Sequence, residues 1–373
     1  MTRKTNMALA FSDEQAMILE SAKGFCQDRS DISAVRSLLS SDQGYSTEIW
    51  TEMVDLGWAG IAIPEQYGGS ELGIGSTIPL VESMGRNLLS TAYISTTIAS
   101  QAILRGGSEA QKAKWLPLVA SGSIGTVALL DNEDWGASST SCQLSAEFQL
   151  QGTKLLVNDA AAADFYIVSA THHGAQVLVL VEAGQLAEGA LSPKVLIDET
   201  KRACNINFDG VTVSADAILP QSQTALRDIK LLGALLTAAE STGSCASALD
   251  LVVGYLTSRI QFGRLIGSYQ SLKHPTVDIL LGMDSARTLV YHAATVVGDQ
   301  PLDQDAEIAC RMAKAQATEA LLYAGDRAIQ FHGGMGFTYE CDAQLYLRRA
   351  LWSQHQFGDA LHHRSHLADL LLD

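Results

Sequence analysis

Two glycine-containing segments have the residue types of a phosphate-binding site. Residues 259–264 read Arg-Ile-Gln-Phe-Gly-Arg, and residues 330–336 read Gln-Phe-His-Gly-Gly-Met-Gly. An arginine can bind a pyrophosphate through two parallel N–H bonds, a phenylalanine can stack on a ring, and glycines let backbone N–H groups approach phosphate. Each segment taken alone is explained equally well as a helix end, with a glycine cap or with cations that complement the helix dipole.

Glu240 is an isolated acid in an apolar segment. Across residues 231–253 the only other charged residue is Asp250. Burial of a carboxylate in such a segment would raise its pKa toward the range of a general base. A salt-bridged structural acid accounts for the same pattern equally well, so both interpretations stay open.

Four histidines near the C-terminus form a further cluster, at positions 355, 362, 363 and 366. His362 and His366 are spaced to share one face of a helix, which makes metal ligation conceivable. Apart from Asp359, no acidic or cysteine ligand lies among them, so we predict no metal site. A solvated or partner-facing histidine surface fits the pattern better.

The composition excludes several classes of protein. The 373 residues are 47% hydrophobic and 18% charged, which supplies a core and argues against disorder. With 25 basic and 41 acidic residues the net charge is −16, which argues against binding to nucleic acid or to an anionic membrane surface. Six scattered cysteines, no secretion signal and no long apolar run predict a cytoplasmic protein with reduced thiols and no membrane span.

The hydrophobic periodicity changes twice along the chain. Helical spacing up to residue 120, short strands with glycine turns over residues 121–225, and helical spacing again over residues 226–373 predict three domains and an α+β fold. We predict an N-terminal helical domain, a middle antiparallel β-domain and a C-terminal four-helix bundle. The four bundle helices are expected at residues 226–259, 271–297, 304–331 and 343–372.

Together, these zones and motifs resemble the acyl-CoA dehydrogenase family. Residues 259–274 are similar to its R-x-x-F-G…Q-x-x-K-H element, and residues 330–336 to its Q-x-H-G-G-x-G element. Residues 64–69 are similar to a third element, P-x-x-Y-G-G. The resemblance spans nearly the whole chain.

The resemblance implies FAD as the cofactor, placed between the β-domain and the bundle, and an acyl-CoA thioester as the substrate. In the family a carboxylate removes the α-proton while a hydride passes from the β-carbon to the flavin. It also implies a homo- or hetero-oligomer, most simply a tetramer, and electron-transfer flavoprotein as the electron acceptor. The FAD contacts would come from Arg259, Phe262 and Gln270 and, approaching from the partner subunit, from Gln330, Gly333 and Gly334.

The sequence departs from the family where the base should be. The usual glutamate position falls on Phe357, and an alternative position on the first bundle helix falls on Gly233. Glu240 lies two helical turns beyond Gly233 on the same face, displaced by ~10.5 Å, and is our candidate for the catalytic base. Leu130 takes the place of a threonine that usually contacts the flavin.

Three functional hypotheses therefore remain. The first is FAD-dependent α,β-dehydrogenation of an acyl-CoA, by the chain alone or as one subunit of a heteromeric enzyme. The second is a catalytically degenerate partner subunit that completes the FAD site without supplying the base. The third is a flavin enzyme of the same fold with another reaction, such as nitroalkane or acyl-CoA oxidation. The replacement of the base by Phe357 favours the second hypothesis, and Glu240 favours the first.

Overall fold

The first part of the chain is helical. The structure, a computed structural model, describes residues 13–41, 43–132, 134–136, 140–298 and 301–372. The helices of this part are α1 (Asp13–Arg29), α2 (Ile32–Leu39), α3 (Thr47–Asp55), α4 (Ile78–Arg86), α5 (Tyr93–Gly106) and α6 (Glu109–Ala120). Local capping fixes where several of them begin. The Ser46 hydroxyl accepts from a backbone N–H of α3, and Ser108 forms a capping box with Gln111 of α6.

Two small β-sheets follow α6. Their strands are β1 (Gly125–Ala128), β2 (Gln143–Leu144), β3 (Leu150–Gln151), β4 (Thr153–Asn158), β5 (Phe165–His172), β6 (Ala175–Glu182), β7 (Leu191–Lys194) and β8 (Ala203–Asn207). In the first sheet the order is β1, β5, β2, β3, with β6 on β5, and in the second it is β4, β8, β7. The short strands separated by turns that the sequence predicts for this part of the chain are therefore found in the structure.

The expectation that these strands are all antiparallel is wrong for two pairs. β1 pairs parallel with β5, with Gly125 opposite Phe165, and β2 also pairs parallel with β5. Parallel neighbours need a long crossover connection. The segment between β1 and β5 contains three further strands, so the chain has the length to make that crossover.

The last part of the chain is again helical. It contains α7 (Ser222–Leu256), a hairpin of β9 (Ile260–Gln261) and β10 (Arg264–Leu265), and then α8 (Gln270–Val296), α9 (Gln304–Phe331), α10 (Ala343–Ser353) and α11 (Ala360–Leu372). The predicted order of helices, β part and helices is confirmed. The division into three domains at residues 120 and 225 stays a prediction.

The fourth predicted bundle helix is two helices in the structure. We expected one helix over residues 343–372, but α10 ends at Ser353 and α11 begins at Ala360. The chain breaks because Phe357 has φ +57° and Gly358 has φ +99°, which a right-handed helix does not accommodate. The four-helix bundle is therefore corrected to five helices in the described residues of this part.

Helix α7 lies at the centre of the molecule and packs against α4, α5, α8, α9 and α10. It crosses α4 at two glycines. A Cβ at Gly85 would lie 2.0 Å from the carbonyl oxygen of Glu240, and one at Gly243 would lie 1.9 Å from that of Glu82. Only glycine permits this approach, so α4 fixes the turn of α7 that carries Glu240. Within the described residues, no helix is both long and apolar enough to cross a membrane.

Candidate functional site

A small, partly open cavity lies where α5, α7 and α10 meet the β part. Its volume is about 50 Å³, well below the ~300–1,000 Å³ of typical ligand pockets and enough for only a few water molecules. Leu130, at the position of the expected threonine, is one of its wall residues. The cavity is bounded further by Ile94, Ser95, Thr126, Trp135, Asn158, Asp159, Lys201, Glu240, Ser353 and Phe357.

The two positions at which the family resemblance places a base are in contact with each other. A Cβ at Gly233 would lie only 2.5 Å from the ring of Phe357, so the phenylalanine ring packs directly on the backbone of α7. On another side the same ring packs against Trp135, with ring centroids 4.5 Å apart. Neither position carries an acid, and two aromatic rings occupy the adjoining space.

The turn that carries Phe357 is held by a buried lysine. The ammonium group of Lys314, on α9, donates to the carbonyl oxygens of Ser353, Gln354 and Gly358 at 3.0–3.1 Å. Burial lowers the pKa of Lys314 to about 7. A phenylalanine in the left-handed region is strained by an energy on the order of 1–3 kcal/mol, and these three hydrogen bonds offset that strain.

Substitution of Gly233 by alanine should therefore have an effect that depends on Phe357. In the wild-type background the new Cβ would overpack the ring and destabilise the fold by about 1–3 kcal/mol. In a Phe357→Ala background the same change should stabilise it by up to about 1 kcal/mol, through the helix propensity of alanine. Urea unfolding of the four variants measures this change of sign. An equal effect of Gly233→Ala in both backgrounds would contradict the contact.

Glu240 is buried in an ion-pair network. One carboxylate oxygen lies 2.6 Å from the Lys201 ammonium and 3.0 Å from a guanidinium nitrogen of Arg349. Arg349 is also buried, and it donates to Asp198. Burial raises the pKa of Glu240, but the charges of Arg349 and then Lys201 outweigh burial and hold the pKa below its usual value.

The expected rise in the pKa of Glu240 is thus wrong. The apolar neighbours in sequence indicated burial, and Glu240 is buried. They could not reveal the two cations, because Lys201 comes from the loop before β8 and Arg349 from α10. Its proposed role as a base stays a prediction, which these ion pairs do not favour.

Asp159 is the acid of this cavity that sequence reasoning missed. Its carboxylate accepts a hydrogen bond from the Ser95 hydroxyl, and burial raises its pKa to about 6. Two buried polar atoms that line the same cavity, Asn158 Oδ1 and Ser353 Oγ, have no hydrogen-bond partner among the described residues. The cavity is therefore polar as well as small, and ordered water is the natural occupant.

The six predicted cofactor residues lie elsewhere, at one end of the helical bundle. None of them lines the cavity, and all six are exposed: Arg259, Phe262, Gln270, Gln330, Gly333 and Gly334. The Phe262 side chain is 92% exposed at the tip of the β9–β10 hairpin. A Cβ added to Gly333 or Gly334 would meet no atom within 4 Å, so their backbone faces open space.

Both glycine segments come together within a single chain. Tyr255, one turn before Arg259, stacks on His332, which directly precedes Gly333, with ring centroids 4.2 Å apart. The expectation that the second segment reaches the FAD from a partner subunit stays a prediction. An exposed guanidinium, with no ion pair to another described residue, and an open glycine backbone fit the diphosphate and adenine part of FAD. The cavity beside Phe357, by contrast, is much smaller than typical ligand pockets.

The histidine cluster is only partly exposed. His362 lies against His363 and His366, with ring centroids 5.2 and 4.4 Å apart. Burial lowers the pKa of His363 to about 3, so that ring is neutral and belongs to the core. Within the part of the chain that the structure describes, no group of three or more His, Cys, Asp or Glu side chains could hold a metal ion.

Comparison with known proteins gives the family. Residues 12–123 match the N-terminal domain of acyl-CoA dehydrogenases, and residues 231–372 match their C-terminal domain. The chain belongs to the acyl-CoA dehydrogenase family. It is accordingly an oxidoreductase acting on CH–CH groups with FAD as its cofactor, which confirms the predicted family, cofactor and class of enzyme.

Relatives and solved structures match over nearly the full chain. The acyl-CoA dehydrogenase IpdE2 of Mycolicibacterium smegmatis is 27% identical, over 93% of this chain and 95% of its own. The ChsE4–ChsE5 complex from Mycobacterium tuberculosis has a TM-score of 0.88 at 22% identity, over 98% of this chain and 99% of the other. The Tcur3481–Tcur3483 steroid ACAD has a TM-score of 0.86 at 26% identity, over 96% and 98%.

Proposed function

We propose that this chain is the subunit of a heteromeric acyl-CoA dehydrogenase that does not supply the base. It binds the diphosphate and adenine part of an FAD whose flavin ring lies in the cleft of a partner subunit. One observation carries the proposal. The chain presents its predicted FAD residues at an exposed end of the bundle, while Phe357 and Trp135 fill its own cleft.

The chemistry of dehydrogenation explains why a partner is required. A base must remove the α-proton of the thioester, and bound FAD accepts the hydride from the β-carbon. In this chain Phe357 and Gly233 carry no acid, and the Glu240 carboxylate is paired with Arg349 and Lys201. The base then comes from the partner, and Glu240 acts as a structural acid that holds α7 to α10.

The assembly follows from this division of roles. Each exposed FAD half-site of this chain needs a second subunit with an open cleft, and we propose that two such unlike pairs form a tetramer. Two of the similar solved structures are each named for two different proteins, ChsE4 with ChsE5 and Tcur3481 with Tcur3483. The Tcur3481–Tcur3483 steroid ACAD is 26% identical to this chain. We propose electron-transfer flavoprotein as the acceptor of the electrons. The six cysteines are free and buried, which supports a cytoplasmic location.

The number of bound FAD molecules tests the proposal. The chain would be co-expressed with a family member that carries a glutamate at the position of Phe357, and the complex purified. Flavin absorbance should give one FAD for every two chains, and an acyl-CoA from a panel of thioesters should reduce it. The chain purified alone should contain little FAD. One FAD per chain, or flavin reduction by an acyl-CoA with this chain alone, would show that its own cleft is active.

A further inference from the structure

We infer that Tyr255 and His332 are positioning residues that hold the two FAD-binding segments at a fixed separation. This inference rests on the proposed function, because it concerns the half-site at the end of the bundle. Tyr255 lies one turn before the first segment and His332 lies within the second, and neither residue is among the six predicted to contact FAD. The stacking contact between them keeps the hairpin and the glycine loop in fixed relative positions.

Tyr255, the first residue of the stack, lies at the end of α7. The carbonyl oxygen of Tyr255 accepts a hydrogen bond from the backbone N–H of Arg259 at 2.9 Å. A displacement of Tyr255 is therefore transmitted directly to the backbone that carries the Arg259 guanidinium. The β9–β10 hairpin with Phe262 begins at the next residue.

His332, the second residue of the stack, directly follows the last residue of α9. His332 is buried, and its Nδ1 donates to the carbonyl oxygen of Ala328 at 2.7 Å, which fixes the ring against its own helix. Gly333 follows immediately, with φ +62°. The position of the His332 ring thus sets the point at which the open backbone of the glycine loop begins.

Helices α7 and α9 pack against each other, and the ring stack extends that packing to the ends that carry the two segments. The two rings lie 4.2 Å apart with an interplanar angle of 27°. Residues 255–270 and 330–336 are all described, and no hydrogen bond or ion pair joins one segment to the other. A diphosphate held by Arg259 on one side and by glycine N–H groups on the other needs both at one separation. The stack provides that separation before FAD binds, which lowers the cost of binding.

Substitutions at Tyr255 test the inference in the purified complex. Tyr255→Leu removes the ring and should weaken FAD binding about 3- to 10-fold, the range expected for an aromatic pair. Tyr255→Phe keeps the ring and should bind FAD like the wild type. Tyr323→Leu is the matched control, because Tyr323 is a partly exposed tyrosine of α9 whose ring lies under the Arg327 guanidinium of its own helix. FAD affinity would be measured by titration of the deflavinated complex, with thermal unfolding measured in parallel.

Substitution of His332 provides a second, independent test in case the Tyr255 variant fails to fold. His332→Leu should weaken FAD binding to the same extent as Tyr255→Leu, and the double variant no further, since one contact is lost in each case. Unchanged FAD affinity in Tyr255→Leu, or an equal loss in Tyr323→Leu, would overturn the inference. Arg259→Ala in the same assay separates the two proposals. If Arg259→Ala leaves FAD binding intact, the proposed FAD half-site is wrong. If Arg259→Ala weakens FAD binding but the Tyr255 and His332 variants do not, only the inference about the stack is wrong.

Discussion

Substitution of Arg259 by alanine should release most of the FAD from the complex and leave the fold intact. The guanidinium is exposed and makes no ion pair with another described residue, so its removal breaks no ion pair of the described fold. Its two parallel N–H donors suit a diphosphate, and hydrogen bonds to charged groups contribute about 1.5–3 kcal/mol. We therefore expect FAD binding to weaken about 10- to 150-fold.

Flavin absorbance after gel filtration measures this loss, and circular dichroism checks that the helices remain. Arg364→Ala is the matched control, because Arg364 is an exposed arginine of α11 paired with Glu319 and distant in sequence from both glycine segments. That variant should keep its full FAD content. Full flavin occupancy in Arg259→Ala would show that the diphosphate is bound by other residues.

Much of the fold could be predicted because its signals are local. The helix predicted over residues 304–331 begins and ends at the residues found in the structure, since its spacing and its flanking residues lie within one stretch of sequence. The two glycine segments are also local patterns, and the structure shows an exposed, open backbone at Gly263 in the first and at Gly333 and Gly334 in the second. Short motifs of this kind carry their own conformation, so they can be recognised before any tertiary contact is known.

The contents of the cleft could not be predicted in the same way. The sequence shows that positions 233 and 357 carry no acid. It does not show that the two residues touch, because Gly233 lies on α7 and Phe357 in the distant turn between α10 and α11. The role of Lys314 was also hidden, although a lone lysine among the alanines of residues 313–317 is a signal of burial. Its three acceptors come from the turn between α10 and α11, where we had expected continuous helix.

The parallel pairing of β1 with β5 has a similar origin. Alternating residues identify a strand, but they do not specify its neighbour or the direction of pairing. The residue pattern of β5 is apolar over most of its length, which is typical of a strand that is buried on both faces, as strands in the middle of a sheet with parallel pairing are. That signal was present in the sequence and pointed to a central strand with more than one neighbour.

Glu240 provides the sharpest test of whether the chain has a base of its own. Glu240→Leu would leave the buried Arg349 with Asp198 as its remaining acid, and Lys201 without its carboxylate partner. Loss of one member of a buried ion pair costs about 3–5 kcal/mol, and we expect the lower end because Asp198 remains. Glu319→Leu is the control: its pair with Arg364 is about half exposed and should contribute less than about 1 kcal/mol. Denaturant unfolding of the three proteins at neutral pH measures the difference.

The pH dependence should follow from the lowered pKa of Glu240. A carboxylate whose pKa is lower in the folded than in the unfolded chain stabilises the fold fully above the unfolded value of ~4.3. That contribution is lost as the pH falls through the folded-state pKa, where the carboxylate takes up a proton. The stability gap between wild type and Glu240→Leu should therefore be constant near neutrality and narrow only in acid. A gap that narrows already at neutral pH would mean that Glu240 titrates there, as a general base does.

Turnover then separates the structural role of Glu240 from the catalytic one. Glu240→Gln keeps the shape of the side chain and its hydrogen-bonding oxygen, but it cannot remove a proton. If the partner supplies the base, the complex with Glu240→Gln should keep its FAD and dehydrogenate acyl-CoA at nearly the wild-type rate. Removal of a general base costs ~10²–10⁴-fold in rate, far more than a small shift of α7 against α10 would. A loss of that size at unchanged FAD content would place the base in this chain, since no change in cofactor binding or folding could then account for it.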